Sequence, residues 1–152
     1  METAAFRLEA STLHYLVSYP DTDAGGIVNH SRYIEMAERA RHRLLKSIGL
    51  PYATLAKDHD TLLVVHRINA IYQSSAVMED SLQLRTSLSL CSAARTIWKT
   101  EICRDDARLV MVSAQLAALR ASTGTIRRHP DVLLDKLAPF LDTPNEASIG
   151  AA

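Results

Sequence analysis

One stretch of this chain is written in a helical period, and most of the sequence C-terminal to it is written in another. From Ser31 to Ile48 the apolar residues Ile34, Ala37, Ala40, Leu44, Leu45 and Ile48 recur every three or four positions, lining one face of an α-helix. Asn29 or Ser31 is placed to cap its start, Gly49 stands where a helix-ending glycine belongs, and Pro51 bars continuation. Arg39, Arg41, Arg43 and Lys46 fall in its C-terminal half, where cations suit the helix dipole. A short second helix is predicted over 51–57.

The next sixty residues read as sheet. Thr61 to Gln73 is rich in Val, Ile and Tyr, and Ser81 to Leu90 alternates, with Leu82, Leu84, Thr86, Leu88 and Leu90 on one face. Runs over 95–104 and 108–120 come next, parted by Asp105-Asp106. Strands in succession at hairpin spacing predict antiparallel pairing. A short strand over 13–19 precedes the helix, and a short helix is expected over 130–141. A long amphipathic helix with a five-stranded antiparallel sheet has one economical arrangement, the helix lying across the sheet. The expected class is therefore α+β. The organisation predicted is an N-terminal extension over 1–12, one domain over 13–141 and a flexible tail over 142–152.

Composition narrows the function classes. Seventeen basic residues balance seventeen acidic ones, which excludes a strong overall attraction to nucleic acid or to an anionic membrane. No run approaches the roughly 20 apolar residues of a membrane span, so no integral membrane association is expected. METAAFRLEAST carries charges and no apolar run, so no signal peptide is expected there. Cys91 and Cys103 form no CxxC pair and fit a reducing, cytoplasmic setting. Asp58-His59-Asp60 is a triplet that a metal could use, but it reads as solvated loop charge between a helix and a strand; His14, His42 and His129 are scattered. No metal is expected. Arg127, Arg128 and His129 read as a solvated loop rather than a phosphate site.

The segment with chemical content is YPDTDAGGIVNHSRY, Tyr19 to Tyr33, which joins a strand to the start of the long helix. A helix N-terminus offers free N–H groups and a positive dipole end, able to polarise a carbonyl and hold an oxyanion. Asp21, Asp23 and His30 stand beside it. A carboxylate aimed at such a carbonyl can attack it or activate a water, which is the minimum equipment for acyl transfer. The same residues also read as structure: the aspartates as turn formers, His30 as a cap or a packed histidine, Tyr19 and Tyr33 as core or interface aromatics. Residue types alone leave both readings open. The glycine pair is not a P-loop, and no nucleophile-elbow serine is present.

Tyr19 to Leu45, with DTDAGGIVNHSRY followed by ERAR, resembles the hotdog-fold acyl-CoA thioesterases of the 4-hydroxybenzoyl-CoA thioesterase family, most closely the bacterial members associated with the Tol–Pal system. The likeness runs from about Leu13 to Leu137. It implies a hotdog fold, a long central helix wrapped by the sheet, with short extra helices. It further implies acyl-CoA thioester hydrolysis with Asp23 as the catalytic carboxylate, and His30 and Tyr19 flanking it as catalytic partners. Gly26, Ile27, His30 and Tyr33 would form the substrate-binding wall. The resemblance implies a homodimer or homotetramer and no cofactor, CoA entering only as part of the substrate. The sequence departs from the family at Asn29, where an aromatic is frequent, and at Ser75, where proline is common. A hydratase or dehydratase acting on acyl thioesters, and a non-catalytic acyl-binding module, are the other readings of the same cleft.

Overall fold

The computed structural model describes residues 3–142; the expectation of a flexible tail falls almost wholly on 143–152, outside the described residues. Element order is helix α1 (Ala4–Ser11), strand β1 (Thr12–Leu16), a 3₁₀ turn (Tyr19–Asp21), helices α2 (His30–Ser47) and α3 (Tyr52–His59), strands β2 (Thr61–Tyr72), β3 (Ser81–Cys91), β4 (Thr96–Arg104), β5 (Ala107–Arg120) and β6 (Ile126–Arg127), helix α4 (Asp131–Leu137) and a final 3₁₀ turn (Ala138–Phe140). This is the expected α+β arrangement, one long helix against an antiparallel sheet.

The sheet runs in the order β1-β3-β4-β5-β2, with β6 adding two residues beside β5. All its ladders are antiparallel. Helix α2 lies across one face. Its Met36, Ala37 and Ala40 pack with Leu82, Leu84, Ile102, Val110 and Val112 of the sheet, while Leu44 and Leu45 meet Leu88, Trp98, Ala114 and Leu116 further along. Each fully buried aliphatic side chain of this kind stabilises the fold by about 1.5–3 kcal/mol.

Boundaries shift for identifiable reasons. The first strand ends at Leu16 rather than 19, because Pro20 turns Tyr19–Asp21 into a 3₁₀ turn. The segment over 3–11, read only as an extension, forms α1: Thr3 caps it through the Phe6 N–H at 3.1 Å, and Ala10 is buried in the core with Phe6 packed against it. Helix α4 stops at Leu137, just short of Pro139. In the segment Arg127–His129 only Arg128 is a solvated loop residue. Arg127 belongs to β6 and its guanidinium donates to the His59 carbonyl at 2.7 Å, while His129 is 2 % exposed.

Strand β2 is one of the two edges of the sheet, with β1 at the other. Its register with β5 pairs Val65 with Leu116, Ile68 with Ala114 and Tyr72 with Val110, and paired residues share a face. Those β5 partners are buried, yet Val65 is 45 % and Ile68 41 % exposed, so α2 leaves this end of the apolar face uncovered. Among the described residues no helix is long and apolar enough to cross a membrane.

Candidate active site

The loop from Ser18 to Asn29 is built around two aspartates with different duties. Asp21 is 7 % exposed, and both its carboxylate oxygens are engaged: Oδ1 accepts from the Tyr15 hydroxyl at 2.9 Å and Oδ2 from the Ser18 N–H at 2.9 Å. Its carbonyl accepts from the Asn29 N–H at 2.9 Å, which ties the start of the loop to its end. Burial, and then the bond to Asp21, push the Tyr15 hydroxyl pKa above its ordinary value. The tyrosine–aspartate pair of this loop is thus Tyr15–Asp21.

Asp23 is exposed. Its Oδ1 accepts from the Gly25 N–H at 2.8 Å, and its backbone closes the loop, N–H to the Ile27 carbonyl at 2.9 Å and carbonyl from the Gly26 N–H at 3.0 Å. The two glycines serve differently here. Gly26 sits at φ +78°, and a Cβ on Gly25 would stand 3.2 Å from Asp23 Oδ1. The second Asp23 oxygen has no protein donor among the described residues.

Asn29, not Ser31, caps α2: its Oδ1 accepts from the Ser31 N–H at 3.0 Å and from the Ser31 hydroxyl at 2.8 Å, and its carbonyl takes the Arg32 N–H at 2.9 Å. The N–H of His30, at the head of the helix, has no partner among the described residues. It is a donor at a positive dipole end.

A cavity of about 320 Å³ opens here, lined by Asp23, Ile27, Val28, His30, Tyr33 and, from the end of β2 and the segment after it, Tyr72 to Ser75. Of the residues the sequence pointed to, it brings together Asp23, His30, Ile27 and Tyr33. Gly26 lies beside it as the bend that aims the loop. Tyr19 does not join them: it is 79 % exposed and does not line the cavity. Tyr33 is buried, accepts from the Ala76 N–H at 3.0 Å, and meets Tyr72 edge-on with ring centroids 5.8 Å apart. Desolvation raises its pKa, keeping it a neutral phenol. The Tyr72 hydroxyl donates to the His30 carbonyl at 2.9 Å, fastening β2 to the first turn of α2.

Sequence reasoning missed Val28 and the run Tyr72, Gln73, Ser74 and Ser75 as site residues. The signal of that run is topological, since only the fold returns the end of β2 to the helix start. Among the described residues no group of three His, Cys, Asp or Glu stands close enough to hold a metal ion. In the Asp58-His59-Asp60 triplet, Asp60 is committed to Ser122, accepting its N–H at 2.7 Å and its hydroxyl at 2.9 Å. These bonds, the backbone one foremost, hold the Asp60 pKa below the usual carboxylate value.

A second cavity, of about 590 Å³, lies at the opposite end of β2, lined by Ala94, Arg120, Ile126, Arg127 and Arg128. Ile126 is 83 % exposed on its rim.

The sequence over 17–137 matches the profile of the thioesterase-like superfamily. The acyl-CoA thioesterase YbgC of Haemophilus influenzae is 30% identical over 103 residues, 68% of this chain and 76% of that protein. A putative esterase of Aquifex aeolicus is 28% identical over 123 residues, 80% of this chain and 92% of its own. Among solved structures, a probable thioesterase from Bartonella henselae superposes with a TM-score of 0.73 at 27% identity, covering 78% of this chain and 98% of that one. The 1,4-dihydroxy-2-naphthoyl-CoA thioesterase of Synechocystis has a TM-score of 0.77 at 20% identity, over 88% of this chain and 98% of its own, a likeness of fold.

Proposed function

Because the chain belongs to the thioesterase-like superfamily, we propose that its Asp23 cavity hydrolyses acyl-CoA thioesters to free acid and CoA. The observation that carries this is the meeting, in one cavity, of a carboxylate with a spare oxygen and the head of an 18-residue helix. The thioester carbonyl sits at the His30 N–H, where the helix end stabilises the developing oxyanion. Asp23 takes a proton from water, and the water oxygen bonds to the carbonyl carbon. The carbon–sulfur bond then breaks, and the proton passes from Asp23 to the leaving sulfur. Tyr33 and Ile27 pack against the acyl group, and Gly26 sets the loop. Tyr19 is assigned no part in the step. No cofactor enters it.

The working unit in this reading is a homodimer formed along β2. Its unpaired edge and the uncovered Val65, Ile68 and Tyr72 support that pairing. Antiparallel pairing of two β2 edges also answers a problem of distance. The arginine-lined cavity and the Asp23 cavity of one chain lie at opposite ends of a twelve-residue strand, roughly 35 Å apart at strand rise. Pairing reverses the ends, so the partner's arginine cavity comes to the Asp23 site and can take the nucleotide phosphates of CoA.

Incubation with a panel of acyl-CoAs and a thiol-trapping dye tests the reading, with thiol release expected. Hydration without release, or binding alone, would replace it with the hydratase or the binding module. Light scattering is expected to give at least twice 16.8 kDa. A single turnover in ¹⁸O water is expected to label the released acid and not the peptide containing Asp23; label in that peptide would make Asp23 a nucleophile.

A further inference from the structure

The loop that carries Asp23 starts after Val17 and returns at Val28, and both of those residues are buried. Both are also hydrogen-bonded to one short segment of backbone, Ala76 to Asp80. The Val17 N–H donates to the Asp80 carbonyl at 2.9 Å, and the Glu79 N–H donates to the Val17 carbonyl at 2.9 Å. At the other foot the Val28 N–H donates to the Ala76 carbonyl at 3.0 Å, and Ile27 faces Val77 in an antiparallel bridge. The same segment reaches the long helix, since the Ala76 N–H donates to the Tyr33 hydroxyl at 3.0 Å. Asp23 is tied to this frame through Ile27, whose carbonyl accepts the Asp23 N–H at 2.9 Å. One short stretch of chain thus relates the carboxylate loop to the head of α2.

That stretch is a turn, not a strand, and it needs holding. Glu79 stands at φ +70°, in the left-handed region that a residue with a Cβ adopts only when its surroundings keep it there. Asp80 closes the turn. Its N–H donates to the Val77 carbonyl at 3.2 Å, and its Oδ2 accepts both the Val77 N–H at 2.9 Å and Arg104 Nη1 at 2.7 Å. These side-chain bonds, the backbone one foremost, hold the Asp80 pKa below the ordinary carboxylate value. Arg104 is the last residue of β4, where its backbone is fixed in the ladder opposite Ala107. The same Nη1 lies 3.5 Å from the Ser75 carbonyl, so the guanidinium spans the segment from one end to the other. Neither Arg104 nor Asp80 lines the Asp23 cavity.

Resting on the hydrolase reading above, we propose that Arg104 and Asp80 are positioning residues for the hydrolysis: their ion pair locks the Ala76–Asp80 segment, and the locked segment sets the Asp23 carboxylate against the His30 N–H. Without the pair, the Met78–Glu79 turn rests on backbone bonds alone, and the Ile27–Val77 bridge moves with it. The loop has little to fall back on. Its tip glycines are exposed, and among the described residues Asp23 is hydrogen-bonded only within its own loop, to Gly25, Gly26 and Ile27. The cost falls on rate more than on fold. A half-buried ion pair adds little to stability, whereas moving a reacting group by about 1 Å can cost about 10²-fold in rate.

The test reads CoA release and amide exchange on the same proteins. Butyryl-, benzoyl- and palmitoyl-CoA are the probes, and single turnovers with enzyme in excess report the chemical step for whichever is cleaved fastest. Arg104→Met is expected to slow that step about tenfold, with KM within about twofold and the urea midpoint nearly unchanged. Asp80→Ala, which also frees the Val77 N–H, is expected to lose more. Asp80→Asn, which keeps an oxygen for both donors, is expected to lose less than Asp80→Ala. Exchange of the Asp23 and Val28 amides is expected to quicken about tenfold or more in Arg104→Met. In the Asp23→Asn background there is no base left to place, so adding Arg104→Met is expected to change the residual rate by less than about twofold. A wild-type rate in Arg104→Met, an equal fold loss in the Asp23→Asn background, a change in KM alone, or unchanged amide exchange would each overturn the inference and leave the hydrolase reading intact. Release of CoA from none of the three probes by the wild type would overturn the hydrolase reading and this inference with it.

Discussion

Two corners of the molecule are rich in the same polar residues and use them oppositely. At the Asp21 corner, and again where Asp60 meets Ser122, both oxygens of a carboxylate are matched to protein donors. At the Asp23 corner two residues away in sequence, one carboxylate oxygen is held and the other is open, beside a helix N–H that is also open. Matched groups fix a backbone; unmatched ones are available to something that arrives. The spacing of hydrogen-bond capacity, more than the presence of acidic residues, separates the site from its scaffold.

The largest effect that would break this contrast is at Asp23. Asp23→Asn keeps the shape and the Gly25 contact but removes the base, so turnover is expected to fall by at least ~10² with the unfolding midpoint unchanged. Near wild-type hydrolysis by that variant would remove Asp23 from the reaction. Asp21→Ala reverses the pattern. It strands the Ser18 N–H and the Tyr15 hydroxyl, so urea unfolding should show a loss of about 1–3 kcal/mol, while the folded fraction still turns over. Tyr15→Phe cuts the same link from the other side and is expected to cost about 1 kcal/mol.

Smaller effects sharpen the comparison. A methyl at position 25 would press on Asp23 Oδ1 from 3.2 Å, so Gly25→Ala should lower kcat several-fold and leave KM largely in place. A KM change alone would show that the carboxylate is not where the loop places it. His129 carries the contrast into the core. It is buried, its Nδ1 lies 3.1 Å from the Ala93 carbonyl, and its Nε2 has no partner among the described residues. Desolvation lowers its pKa below the ordinary histidine value of 6.5, so between the two values the unfolded chain binds a proton that the folded chain refuses. Stability is therefore whole above about pH 6.5, declines as pH falls below it, and stops declining from this cause once the folded value is passed. Urea midpoints at about pH 8 and about pH 5.5 are expected to differ more for the wild type than for His129→Leu.

Much of this was legible in the residues because it depends on local period and local chemistry. The 3.6-residue spacing from Ile34 to Ile48 and the alternation from Leu82 to Leu90 decide which faces are apolar, and the burial of Leu44, Leu45, Leu82, Leu84 and Leu88 accords with them. The Asp23 loop announced itself through paired glycines before a helix. What was not legible depends on the return of distant segments. Nothing near Tyr72 in the sequence says that its hydroxyl reaches His30, 42 residues earlier. Tyr15 and Tyr19 are equivalent as letters. The 3₁₀ turn at Pro20 puts one against Asp21 and leaves the other in solvent. Helix α1 was missed because eight residues with weak periodicity make a marginal helix alone; packing of Ala10 and Phe6 on the core stabilises it.

The order of the sheet has a kinetic meaning. Strands β3, β4 and β5 are linked by short turns and can zip together as neighbours, but β2 finds its partner β5 only across both of the intervening strands. A ribosome delivers α2 and β2 first and the strand that must receive β2 last. Until β5 has emerged, β2 has neither of its edges paired, and the apolar stripe of α2 lacks much of the surface it will lie against. Folding is thereby paced by a late, long-range docking event, the kind of contact whose loop-closure entropy slows a chain most. The nascent polypeptide is most exposed to aggregation in the interval between residues 72 and 120.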